Sequence, residues 1–183
     1  RDLAAGLSAR GVRVSVVDER GELSGADGLA GCDVLLGYPK PTGIRQAIRC
    51  LAPDVVLFDE LGDPAEVQAV AECAHAGVAV VASLHGRDRL SLATQTMPRR
   101  LLELNSFDRW AFLAGRQRPG EIAACYRGEV NERGVHWTPV DRGGRSGDGS
   151  VAGPSVAGTE SFFGANRPFV AGGGAADSLH RRP

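Results

Sequence analysis

Val55-Val56-Leu57-Phe58-Asp59-Glu60, residues 55–60, sets four consecutive apolar side chains directly before two carboxylates. A run of this kind, with no polar alternation, reads as a strand buried on both faces, as in parallel sheets covered by helices. Pro53-Asp54 before it and Gly62-Asp63-Pro64 after it punctuate both ends. The pattern recurs on either side. Upstream, Val12, Val14, Val16 and Val17 run into Asp18-Glu19-Arg20, and downstream a strand over residues 78–82 ends in Ser83-Leu84-His85-Gly86. Helical patterns separate the strands. Residues 43–51 carry Ile44, Ala47, Ile48 and Leu51 on one face behind Thr42 as a cap. Residues 65–76 turn Val67, Val70, Ala71 and Ala74 inward and stop at Gly77. Alternation of this type predicts an α/β fold with a mostly parallel sheet, right-handed crossovers and a ligand crevice beyond the carboxyl ends of the strands.

The flanks add less regular structure. Leu3, Ala4, Leu7 and Ser8 share a helical face that Gly11 ends, and residues 21–41, with five Gly and two Pro, read as a long functional loop holding a short strand at 34–36. Residues 87–104 are helical in character, broken or restarted at Pro98, followed by strands over 107–113 and 122–127. From Asp141 onward there are ten Gly with scattered Ser and Pro and no apolar period. Residues 1–140 are therefore expected to form one domain and 141–183 a Gly-rich flexible, disordered tail.

Composition bounds the partners. A 43% hydrophobic content with only 5% aromatics gives an aliphatic core, and a formal net charge of -1 supplies no whole-chain basic field, so no DNA partner is predicted. Cys32, Cys50, Cys73 and Cys125 are widely spaced with no C-x-x-C pair, which suggests neither a zinc site nor a redox motif and fits a reduced, cytosolic compartment. No apolar run approaches the roughly 20 residues that span a bilayer.

Three strand ends carry Asp18, Glu19 and Arg20, then Asp59 and Glu60, then His85, more polar chemistry than packing requires. Four apolar residues before Asp-Glu match the Walker B pattern. A phosphate-bound Mg²⁺ needs an anionic partner, usually through a coordinated water, and hydrolysis needs a second carboxylate to orient the attacking water. Asp59 fits the first role and Glu60 the second. Taken alone, the dipeptide reads equally well as a buried strand meeting a capped turn.

The segments Val16-Val17-Asp18-Glu19-Arg20-Gly21-Glu22-Leu23, Gly37-Tyr38-Pro39-Lys40, Ile48-Arg49, Pro53-Asp54, Asp59-Glu60 and Ala76-Gly77 stand in an order and spacing that resemble the stage III sporulation protein AA family. The likeness runs from Arg1 to about Tyr126, with Ser83 and Leu84 departing from a threonine-alanine-histidine-glycine segment. That family is similar to the secretion ATPases of type II and type IV systems, marked by a Walker A loop, an Asp box, a Walker B strand and a His box. The resemblance thus implies a RecA-like P-loop NTPase core. It also implies a cut just after the Walker A loop, because no G-x-x-x-x-G-K-[ST] occurs and a stretch like Arg1-Asp2-Leu3-Ala4 follows that loop in the family.

By the same resemblance Asp59 holds Mg²⁺ and with it ATP, Glu60 orients water, His85 senses or relays at the γ-phosphate, and Glu19 and Arg20 belong to the Asp box region. Arg20 reads either as a finger completing a neighbour's site or as a salt bridge to Asp18 or Glu22. Lys40 can reach nucleotide or a partner, but a loop lysine is most often merely solvated, so it is left out of the catalytic set. The implied whole is a ring, a hexamer, that moves membrane proteins of the stage III complex from the cytoplasmic side of the forespore-facing inner membrane. A different class of function is a non-catalytic RecA-like module for docking or nucleic-acid binding. A Rossmann dehydrogenase is set aside because no G-x-G-x-x-G follows a first strand.

Overall fold

The structure, a computed structural model, describes residues 1–25, 29–140 and 169–173. Its first half alternates: α1 Asp2–Ser8, β1 Val14–Asp18, β2 Asp33–Leu36, α2 Lys40–Cys50, β3 Val55–Glu60, α3 Pro64–His75 and β4 Ala79–His85. Helices α4 Arg89–Thr94 and α5 Thr96–Glu103 follow, then strands β5 Arg109–Leu113, β6 Ile122–Asn131, β7 Gly134–Pro139 and β8 Phe169–Gly173. One sheet runs in the order β2-β1-β3-β4-β8-β5-β6-β7. It is parallel from β2 through β5, and β6 and β7 add an antiparallel hairpin at the far edge. The class is α/β.

Two faces of the parallel strands bury two separate apolar groups, as an uninterrupted apolar strand requires. On one face, Val17, Val56, Phe58 and Val80 meet Ile44 and Ala47 of α2 and Val67, Val70 and Cys73 of α3. On the other, Val14, Val16, Val55, Leu57 and Val81 meet Ala4 and Leu7 of α1 and Leu29. Leu3, expected on the inner face of α1, is exposed instead. Helix α2 lies so close to β1 that a Cβ on Gly43 would stand 2.5 Å from Val17 Cγ1. The glycine is there for approach, not for flexibility. Burial pushes the Cys73 thiol up to about 12, so it packs as a small apolar group.

The Arg45 guanidinium bridges α2 to α3 through both oxygens of Glu72, at 2.8 and 3.1 Å. Asp54 accepts from the Arg13 backbone N–H at 2.9 Å and from its guanidinium at 2.8 and 3.2 Å, tying the entries of β1 and β3 together.

Several boundaries move for identifiable reasons. Helix α2 starts at Lys40, ahead of the expected Gly43, because Pro41 suits a first turn; Pro39 is the N-cap and Thr42 caps nothing. The break in the 87–104 region falls at Gln95, since Pro98 sits in the first turn of α5, where its missing N–H costs nothing. Strand β7 was not anticipated. It pairs from Asn131↔Gly134 to Tyr126↔Pro139, closing a tight turn.

The flexible tail expected for 141–183 lies outside the described residues except at Phe169–Gly173, where the expectation is corrected. That segment is β8, parallel to both β4 and β5 and seated between them. Its Gly content masked the strand, yet the ladder groups on the facing edges of β4 and β5 need a partner there. Among the described residues, no helix is long and apolar enough to cross a membrane.

Candidate active site

Register brings the polar strand ends together. Val17 lies beside Phe58 on one side of β3, and Leu57 beside Val81 on the other, so β1, β3 and β4 finish along one edge. Between Leu57↔Val81 and Glu60↔Ser83, three steps on β3 face two on β4, which is a β-bulge at Phe58-Asp59. Simple alternation would turn Asp59 to the face of Leu57. The extra residue keeps it on the face of Phe58, over α2 and α3.

There it meets Lys40. The Nζ of Lys40 stands 3.2 Å from Asp59 Oδ1 and 3.2 Å from Glu66 Oε1, and it donates to the backbone carbonyl of Glu60. Lys40 and Glu66 side chains are only 13% and 6% exposed. Burial presses the ammonium pKa down, but the Asp59 and Glu66 carboxylates outweigh it and the pKa is raised, so the residue is a fixed cation. The second oxygen of Glu66 accepts the N–H groups of Gly62 and Asp63 at 2.7 and 3.1 Å, and Asp63 caps α3 in return. The reading of Lys40 as a solvated loop residue is therefore corrected: α2 begins at this residue and points it over the end of the sheet.

Glu60 and His85 occupy the open side. His85 Nε2 lies 3.4 Å from Glu60 Oε2, with the two side chains 83% and 50% exposed, so both can meet a ligand. Glu19 Oε2 accepts the backbone N–H of Lys40 at 3.3 Å, linking the end of β1 to the same group. Arg20 is exposed and, among the described residues, forms no ion pair with Asp18 or Glu22; the salt-bridge expectation is corrected. Glu19, Asp59, Glu60 and His85 thus form one chain of contacts through Lys40, and Arg20 is not part of it.

Asp18 does something else. It is fully buried, and its carboxylate accepts from the backbone N–H groups of Glu22, Leu23 and Ser24 and from the Ser24 hydroxyl, at 2.7 to 3.1 Å. The Asp18 carboxylate is thereby spent on the loop and is not available to Arg20. Burial pushes the Asp18 pKa up, but the four hydrogen bonds overcome that and hold it below the usual carboxylate value. Because the folded pKa is depressed, the contribution is present above the unfolded value of about 3.9 and is lost as pH falls through the folded value. Asp18→Asn is expected to destabilise the protein at pH 7 and to flatten the acid limb of its stability profile. Urea midpoints between pH 3 and 7 check this, and parallel profiles would refute it.

Whether the edge suits a divalent cation can be tested on Asp59. Its Oδ1 is buried and, among the described residues, makes no hydrogen bond of good geometry; the Lys40 ammonium is its electrostatic partner. A hard, anionic, otherwise unclaimed oxygen fits Mg²⁺, which takes one or two protein carboxylates and fills the rest of its sphere with water and phosphate. Among the described residues, no group of three or more His, Cys, Asp or Glu side chains forms a metal cage. A cation at Asp59 would thus take one protein carboxylate and complete its sphere with water or phosphate.

Sequence reasoning set Lys40 aside as a solvated lysine and missed Glu66. Glu66 was legible in Asp63-Pro64-Ala65-Glu66, a capping-box spacing, and Lys40 in being the sole lysine of the chain.

The fold and this edge define an α/β protein whose polar groups converge at the carboxyl ends of adjacent parallel strands. Residues 2–136 match the family described as sporulation stage III, protein AA, and the chain belongs to that family. It is similar to stage III sporulation protein AA of Bacillus subtilis (strain 168), with 35% identity over 146 residues. The match covers 72% of this chain and 47% of the relative, so the chain spans about half the length of the curated relative it matches.

Proposed function

We propose that this chain carries the magnesium and water-activating part of a RecA-like ATPase, acting in the motor subunit of a stage III sporulation membrane complex. The observation that carries the reading is the meeting of Asp59, Glu60 and His85 at one strand edge. Asp59 would hold Mg²⁺, which when bound neutralises phosphate charge. Glu60, half-exposed beside His85, would take a hydrogen bond from the attacking water and orient it. His85 would follow the state of the γ-phosphate through its contact with Glu60, and Arg20, free of Asp18 and Glu22, would be available to a bound phosphate or a neighbouring subunit.

Similarity to the Bacillus subtilis relative and the family match support the sporulation setting. The proposed assembly is a hexamer, peripheral to the forespore-facing inner membrane through membrane proteins of the complex, with ATP as substrate. ATP binding of this type uses a G-x-x-x-x-G-K-[ST] loop that these 183 residues do not contain, so the test uses the complete gene product. Mg²⁺-dependent phosphate release from ATP is expected. Failure to turn over ATP in the assembled complex would overturn the enzyme reading in favour of a docking module.

A further inference from the structure

We propose that Lys40 is a built-in countercation of the strand-end carboxylates, one that a divalent cation must displace to reach Asp59. The proposal rests on the reading of Asp59 as the metal-binding acid and adds a competitor to it.

The contacts argue for competition. Lys40 Nζ touches the same oxygen, Asp59 Oδ1, that is buried and, among the described residues, lacks any other hydrogen-bonding group. It is also held by Glu66 Oε1 and the Glu60 carbonyl, so three oxygens surround one nitrogen. A second cation cannot share that oxygen at close range without strong repulsion from the ammonium.

Residue choice points the same way. The chain has 21 Lys and Arg residues, and Lys40 is the only lysine among them. Arginine serves everywhere else, including the paired sites Arg13 and Arg45. An ammonium is a compact point charge with three donors that satisfy three converging acceptors, whereas a planar guanidinium suits the two parallel oxygens of one carboxylate. The ammonium also sits on a flexible stem that can withdraw without moving the backbone.

The sole lysine makes the test direct. In the wild-type chain, Mg²⁺ is expected to raise the rate of Lys40 amidination by ethyl acetimidate severalfold, read by peptide mass spectrometry with the α-amino group as internal reference. In Asp59→Asn, Mg²⁺ is expected to leave that rate unchanged. Titration with Mn²⁺ alone, followed by electron paramagnetic resonance, is expected to show about tenfold or greater tightening in Lys40→Met. Lys40→Arg, which keeps a positive charge there, is expected to stay near wild type.

Equal Mn²⁺ affinity in wild type and Lys40→Met, with loss in Asp59→Asn, would overturn the competition and leave Asp59 as the metal residue. Unchanged Mn²⁺ affinity in Asp59→Asn would overturn the metal reading and the proposal with it. Should Lys40→Met fail to fold, the labelling of the wild-type chain decides alone: a rate indifferent to Mg²⁺ refutes the proposal.

Discussion

Glu60→Gln, placed in the complete gene product, is expected to lower ATP turnover by about 10²-fold or more while nucleotide affinity changes little. The geometry makes this a selective change. Glu60 holds Lys40 through its backbone carbonyl, and its side chain faces His85 in the open, so the amide swap leaves the Lys40 group intact. Glutamine keeps the size and can still meet the imidazole, but it cannot take a proton from water. Phosphate release gives the turnover, and a fluorescent nucleotide analogue gives the affinity. Turnover near wild type would remove Glu60 from the water-orienting role. Loss of binding together with turnover would show that the substitution disturbed more than the proposed chemistry.

Trp110→Ala is expected to cost about 3–5 kcal/mol of stability, the range for removing a large aromatic from a core. The indole of β5 is buried and packs edge-on against Phe107 at 5.9 Å and Trp137 at 5.7 Å. Trp137 in turn touches Phe112 and Tyr126, so one truncation undermines a cluster that joins β5, β6 and β7. Trp110 Nε1 is buried and, among the described residues, has no hydrogen-bond partner. A buried donor left unmade costs about 1–3 kcal/mol, so Trp110→Phe, which removes it, is expected to cost far less than alanine. Urea unfolding followed by far-ultraviolet circular dichroism checks both, because Trp110 is one of only two tryptophans and fluorescence would be confounded. Equal losses in Phe and Ala variants would show that shape, not volume, holds this cluster.

The first half of the fold was legible because β1, β3 and β4 are apolar along most of their length and their helices keep a 3.6-residue period. The far half was not. β7 alternates over only four residues, Val135 and Trp137 against His136 and Thr138, and is nowhere fully buried, while β8 owes its place to the edges it joins rather than to Phe169-Val170-Ala171-Gly172-Gly173 itself. At the site, acids at strand ends announce themselves by residue type, so Asp59, Glu60 and His85 could be named from sequence. Lys40 could not be placed, because its partners depend on where α2 begins, and that was settled by Pro41 against the competing signal of Thr42. Asp18 misled for the opposite reason. It has the same local setting as Asp59, and only the path of Glu22, Leu23 and Ser24 shows that its charge is spent on the loop.

The bulge at Phe58-Asp59 turns chain length into an address. Along a strand, each residue is a half-period, and an inserted residue is a phase slip that every later side chain inherits. With the slip, Asp59 is delivered to the ammonium and Glu60 to the imidazole. Straightening the bulge with the strand's length unchanged would restore the ordinary phase and exchange the destinations of two acids that are chemically almost alike. Substitution in Val55-Val56-Leu57 only changes how well the strand packs. A deletion there that abolished the bulge would leave each acid on its own face and turn Phe58 to the opposite one, so this stretch tolerates drift in spelling but not in count.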